Sequence, residues 1–188
     1  MTFAELQTPG GYLCGEVASA LQKSIRRGEI DEALFWATEL DLAGYGEYVF
    51  KRLQIIASED VGMAEPLAVV VIANLREAWR EQRKKKDARH APERLFLVHA
   101  VLYLATCSKS RLVDSALITF YEGPRPRREI PDYALDRHTR RGRALRRGWA
   151  HFFDEGTQLA NAAPIEDGYA QHARQIRSDA APQELDLE

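Results

Sequence analysis

Arg94 and His99 stand five residues apart, in a stretch whose other residues are Leu95, Phe96, Leu97 and Val98. An imidazole titrates near neutrality and can pass protons, and a guanidinium steadies phosphate charge, so the pair has the chemistry of acid–base RNA cleavage. The plainer reading is a core histidine with one hydrogen bond, because its neighbours are Leu, Val and Ala. Glu59 and Asp60 are a second candidate. Adjacent carboxylates on a helix end point in different directions, so salt bridging or turn capping is expected rather than a catalytic dyad. The histidines are His90, His99, His138, His151 and His172, and none pairs with another histidine or a cysteine at metal-site spacing. No catalytic residue, metal site or cofactor is therefore expected. A triphosphate is cradled by a G-x-x-x-x-G-K-[ST] loop, which these 188 residues do not contain.

Basic side chains carry more weight. Arg140, Arg141, Arg143, Arg146 and Arg147 fall within eight residues, and Lys84, Lys85 and Lys86 make a second run. Guanidinium forks match phosphate oxygens, and counterion release would drive binding to DNA or RNA. The alternative is a solvated face, or ion pairs with acidic parts of the chain. The net charge of -2 hides a division: residues 1–75 sum to −6, 76–147 to +10 and 148–188 to −6. Trp149, Phe152 and Phe153 could stack bases, although aromatics near a chain end more often pin that end in place.

The elements that must position these groups read as helices. Val17, Leu21 and Ile25 form one stripe, and Gly28 after Arg26 and Arg27 is a stop signal. Asp31 and Glu32 open a second helix, and a third runs from about Glu47 to Ser58. Pro66 suits the start of a fourth, apolar on most sides in its first half and hence expected to be buried. A fifth, Leu95 to Cys107, reads as the central core helix. A sixth, about Arg111 to Tyr121, offers Leu112, Ala116, Ile118 and Phe120 for burial. Three prolines between Glu122 and Pro131 mark a linker or surface loop. The expected fold is all-α, a bundle of about six to eight helices. Residues 1–155 are expected to form one domain and 156–188 an extension with a frayed acidic end. No apolar run reaches the ~18 residues that span a bilayer, and the N-terminus lacks a signal-peptide pattern. The cytoplasm is the expected location. Cys14 and Cys107 suit a reducing compartment, with a single bridge left open.

Several ordered blocks carry a resemblance. They are Leu21–Gly28 followed by Glu32–Trp36; Arg52–Pro66, containing Ala57-Ser58-Glu59-Asp60-Val61-Gly62; Val101–Ala105 followed by Ser108-Lys109-Ser110; and, more weakly, Ile130-Pro131-Asp132 and Gly148–His151. Over roughly residues 13–155 the chain resembles the C-terminal helical region of the MgsA/RarA family, replication-associated AAA+ ATPases related to clamp loaders. In that family the region is a collar that packs subunits into tetramers. The resemblance implies a non-catalytic interaction module in DNA replication or repair, acting as a homo-oligomer (a tetramer) or with a partner AAA+ ATPase, and without ATP hydrolysis of its own. Two alternatives stay open: a nucleic-acid-binding accessory using residues 137–147, and a ribonuclease resembling HEPN enzymes, which use arginine and histidine at the Arg94–His99 spacing.

Overall fold

The computed structural model describes residues 2–84 and 91–179. Nine α-helices follow in order among them: α1 (Cys14–Arg27), α2 (Ile30–Leu42), α3 (Gly46–Ile56), α4 (Ala68–Lys84), α5 (Glu93–Thr106), α6 (Leu112–Leu117), α7 (Arg140–Ala144), α8 (Trp149–His151) and α9 (Ala170–Asp179). The only β pairing among the described residues is an isolated Gln7–Leu13 bridge. The chain divides into two units, Met1–Arg125 and Pro126–Glu188, with the boundary in the proline-rich segment.

In the first unit α1 and α2 pack side by side, α4 packs on α5, and α3 touches both pairs. The stripe Val17, Leu21 and Ile25 is buried, with Leu40, Phe50, Leu53, Ile56, Ile72 and Leu104 meeting it. Burying each of these large side chains is worth about 1.5–3 kcal/mol. Gly28 ends α1 in a left-handed conformation (φ 73°). Its amide donates to the Ile25 carbonyl at 3.1 Å, and the Glu29 amide donates to the Ser24 carbonyl at 2.9 Å. This double closure satisfies carbonyls the helix would otherwise leave open. Cys14 and Cys107 are unbridged.

Charge fastens α4 to α3. Arg76 and Arg80 are one turn apart on α4, and both guanidinium groups bond Glu47 in the first turn of α3; the Arg80 Nη2–Glu47 Oε1 distance is 2.6 Å. These bonds, that to Arg80 foremost, hold the Glu47 carboxyl at a pKa of about 2. A depressed folded-state pKa adds stability above the ordinary carboxylate range and loses it as pH falls toward the depressed value. Glu47→Gln is therefore expected to lower stability at pH 7 by about 1 kcal/mol, a figure reduced for partial exposure. The gap between the two proteins should close between about pH 4.5 and pH 2, as thermal melts across that range will show.

Burial departs from the sequence expectation in three helices. The first half of α4 buries Ala68 and Ile72 but leaves Val69 and Val70 exposed, as is Leu67 just before it. Core helix α5 buries Leu97, Ala100, Val101, Leu104 and Ala105, whereas Leu95, Val98 and His99 face solvent. His99 is thus a surface histidine, not a core one. In α6 and the wide turn after it (Ile118–Glu122) no side chain is buried, so Leu112, Ala116, Ile118 and Phe120 do not join the core. Apolar periodicity marks which side chains avoid water, not which neighbour covers them.

Candidate functional site

A wide turn follows α3. Over Ala57–Val61 the chain closes five-residue rings, with the Gly62 amide donating to the Ala57 carbonyl. This sends Glu59 and Asp60 toward the same cations, contrary to the divergence expected of neighbours on a regular helix. Asp60 is fully buried. Arg26 Nε donates to Asp60 Oδ1 and Arg26 Nη2 to Glu59 Oε1 at 3.0 Å. Gln22, one turn before Arg26 on α1, donates to Asp60 Oδ2 at 3.1 Å. Arg111 bonds Asp60 and Glu59 at 3.4 and 3.5 Å, and pairs with Asp114. The Ser110 amide donates to the Asp60 carbonyl at 2.9 Å. The bond to Asp60 foremost pushes the Arg26 guanidinium above its ordinary pKa. Every carboxylate in the cluster faces a guanidinium, so the cluster offers no free acid or base. Its action is mechanical: it ties α1, the turn and the start of α6 together.

Gly62 completes that joint. Its φ of 51° with ψ of −127° lies outside the region L side chains adopt. An added Cβ would stand 3.1 Å from the Ser110 carbonyl and 3.2 Å from Val113 Cγ2. Gly62→Ala is expected to cost about 2 kcal/mol in urea unfolding, as backbone strain and a tight contact coincide.

The joint presents apolar surface. The turn and the short helical segment after it (Gly62–Ala64) contact α6, and the turn also contacts α4. Met63 (62% exposed), Leu67 (64%), Val70 (54%) and Ile55 lie along this stretch, and Leu112, Leu117 (52%), Phe120 (61%) and Tyr121 extend it from α6. Exposed large apolar side chains grouped on elements that touch one another are candidates for an interaction site.

The other candidates are placed as follows. Arg94 Nε pairs with Asp41 Oδ2 at 3.3 Å. Five residues along a helix turn about 140°, so Arg94 and His99 leave α5 on different faces and are not brought together. Lys84 is the last residue of α4 and is exposed; Lys85 and Lys86 lie outside the described residues, as does the acidic end after Asp179. In the second unit Arg140, Arg141 and Arg143 lie on α7 and Arg146 just beyond, all exposed. Arg147 differs: it forms a two-pronged pair with Asp132 and approaches His151 Nε2 at 2.7 Å. Among the described residues no group of three or more His, Cys, Asp or Glu could hold a metal ion. No described helix is long and apolar enough to cross a membrane.

Residues 28–171 match the family described as MgsA AAA+ ATPase C terminal. The chain belongs to that family. Among similar proteins, the Replication-associated recombination protein A of Haemophilus influenzae is 35% identical over 126 residues, 66% of this chain and 26% of its own length. The protein of that name from Escherichia coli K12 is 34% identical over the same shares of both chains. That of Bacillus subtilis is 32% identical over 149 residues, 75% of this chain and 34% of its own. The chain thus spans about a third or less of the curated relatives it matches.

For this MgsA C-terminal chain the block Ala57–Gly62 has a physical meaning: the turn, the buried Asp60 and the positive-φ Gly62 are one joint. Sequence reasoning missed the unburied faces of α4 and α6 that the joint presents. The signal was available in α6, a helix of 6 residues whose Leu112, Val113, Ala116 and Leu117 share one arc of about 140° with no polar residue among them. Also missed were Arg174 and Arg177 of α9, which lie over the Phe153 and Trp149 rings at 5.2 and 4.6 Å.

Proposed function

We propose that this chain is a non-catalytic self-association module in a replication- or repair-linked AAA+ setting, and that a second copy of the chain covers the apolar surface around α6. One observation carries the reading: the α6 segment places Leu112, Val113, Leu117, Ile118, Phe120 and Tyr121 in water, while a buried ionic cluster holds its start in place. Leaving such side chains partly uncovered forfeits a share of the about 1.5–3 kcal/mol that full burial of each is worth, which a like surface on another copy would recover. Membership of the MgsA C-terminal family supports the choice of partner. The names of the relatives support the setting, and the paired state of every carboxylate in the Asp60 cluster supports a structural role there.

Sedimentation equilibrium tests it. A species heavier than the 21.3 kDa chain is expected at micromolar concentration, with a tetramer as the end point. A strictly monomeric protein at 100-fold higher concentration overturns the reading. Recovery of an AAA+ ATPase bound to a monomeric chain would replace the second copy with that partner.

A further inference from the structure

The start of α2 carries a surface of different chemistry from α6. Tyr12, just before α1, meets Phe35 and Trp36 of α2 edge to face, with ring centroids 6.2 and 5.3 Å apart. Phe35 and Trp36 stand at 4.8 Å, also edge to face. Trp36 packs on the core, whereas Phe35 is 46% and Tyr12 42% exposed. Asp31 and Glu32 lie one turn before Phe35, exposed and with no partner among the described residues. In the first turn of α2 they suit the helix dipole, but the dipole gives no reason for two aromatic rings in water beside them. Ring faces next to free carboxylates have the chemistry that receives a guanidinium.

The matching chemistry lies in the proline-rich segment. Residues 123–131 include Pro124, Pro126 and Pro131, and each proline holds the residue before it in extended backbone. Gly123 (φ −74°, ψ 170°) and Pro131 (φ −65°, ψ 151°) bracket the segment in or beside the polyproline II region. Proline-rich strands of that shape dock on exposed aromatic rings and lose little conformational freedom in doing so. Arg125 is used within the chain: it lies over the Tyr121 ring at 5.7 Å and donates to the Tyr121 carbonyl at 2.9 Å. Arg127 and Arg128 are exposed and have no partner among the described residues.

The two surfaces agree in spacing. In a polyproline II strand every third residue shares an edge, so Pro124 and Arg127 line up about 9 Å apart, and Glu129 falls on another edge. Along α2, Phe35 stands about 4.5–6 Å from Glu32 and Asp31. The long side chain of an arginine covers the difference. With Pro124 on the rings, Arg127 therefore reaches the two carboxylates.

We propose that Tyr12, Phe35, Asp31 and Glu32 of one copy receive the Pro124–Arg128 strand of a second copy, proline on the aromatic rings and arginine on the carboxylates. This rests on a second copy as the partner but uses none of the α6 surface. Alone the contact is weak. Pairing through α6 raises the local concentration of the strand, and the contact then carries the assembly beyond the dimer.

The test uses the full chain carrying Arg127→Ala/Arg128→Ala, which removes the free cations of its own strand and leaves α2 intact. A dye-labelled peptide of residues 122–131 is titrated onto it and followed by fluorescence anisotropy. Half-saturation is expected on the order of 100 µM. The peptide with both arginines changed to alanine should bind at least about 10-fold more weakly. Changing Pro124 and Pro126 of the peptide to alanine should cost about 3-fold, since a looser strand gives up more freedom on docking. Tyr12→Ala/Phe35→Ala and Asp31→Lys/Glu32→Lys in the chain should each cost at least about 5-fold with an unchanged circular dichroism spectrum. In sedimentation the Arg127→Ala/Arg128→Ala chain should stop at the dimer that α6 makes. A peptide that binds as expected to a chain that stays monomeric supports this contact and sinks the α6 pairing, so the two failures are told apart. No binding up to about 1 mM, equal binding of the arginine-free peptide or of a scrambled peptide of the same composition, or a variant chain that still reaches the tetramer each overturn the proposal.

Discussion

Replacing Asp60 by alanine is expected to cost about 3–5 kcal/mol, the range found when one member of a buried ion pair is removed. The carboxylate is wholly shielded from water, and Arg26, Gln22 and Arg111 converge on it. Truncation would leave Arg26 with Glu59 alone, and Arg111 with Glu59 and Asp114. Arg26 is about a third exposed, so water can take up part of its charge and the lower end of the range is the better expectation. Asp60→Asn should cost less, since the amide oxygen still accepts from Gln22 or Arg26. Urea unfolding followed by ellipticity gives both numbers. A loss under 1 kcal/mol for Asp60→Ala would show that the cluster is ornamental. The variant should also loosen α6, because the start of that helix is fastened through Arg111 and the Ser110 amide.

A pair of aspartates at Leu117 and Phe120 should abolish self-association and leave the monomer folded. Both side chains are more than half exposed in the single chain, so their replacement should change monomer stability by no more than about 0.5 kcal/mol. In an interface the same positions would be dry. Losing two apolar anchors and burying two charges should weaken assembly by at least about 100-fold. Sedimentation of Leu117→Asp/Phe120→Asp, beside Leu159→Asp as an exposed apolar control in the second unit, separates the effects. Assembly that survives the double substitution means that α6 is not the contact. A monomer that unfolds means that α6 is already covered within its own chain.

The helices were legible because local signals and tertiary demands agree. The stripe Val17, Leu21 and Ile25 is buried as its spacing predicts, and Gly28 stops α1 as its position predicts. Ion pairing at Glu59 and Asp60 was legible from residue type. Their convergence was not, since it depends on a five-residue turn that no residue in the segment announces. The apolar faces of α4, α5 and α6 were visible, but whether a greasy face meets its own chain or another is absent from periodicity. Arg147 reads like its neighbours in sequence, yet Asp132, 15 residues earlier, takes it out of the set available to phosphates. Such a pairing emerges only when the loop between them is closed.

The wide turn after α3 carries one more implication. Each residue in a helix advances the side chains by about 100°, and a five-residue ring amounts to one surplus residue in an otherwise regular spiral. Removing a single residue there, such as Ser58, would restore ordinary winding and rotate the acidic pair away from Arg26. The phase of one residue therefore sets whether the carboxylates face inward at all. A chain that lost it would keep its composition, its helices and nearly its whole sequence, and would no longer aim α6 at anything.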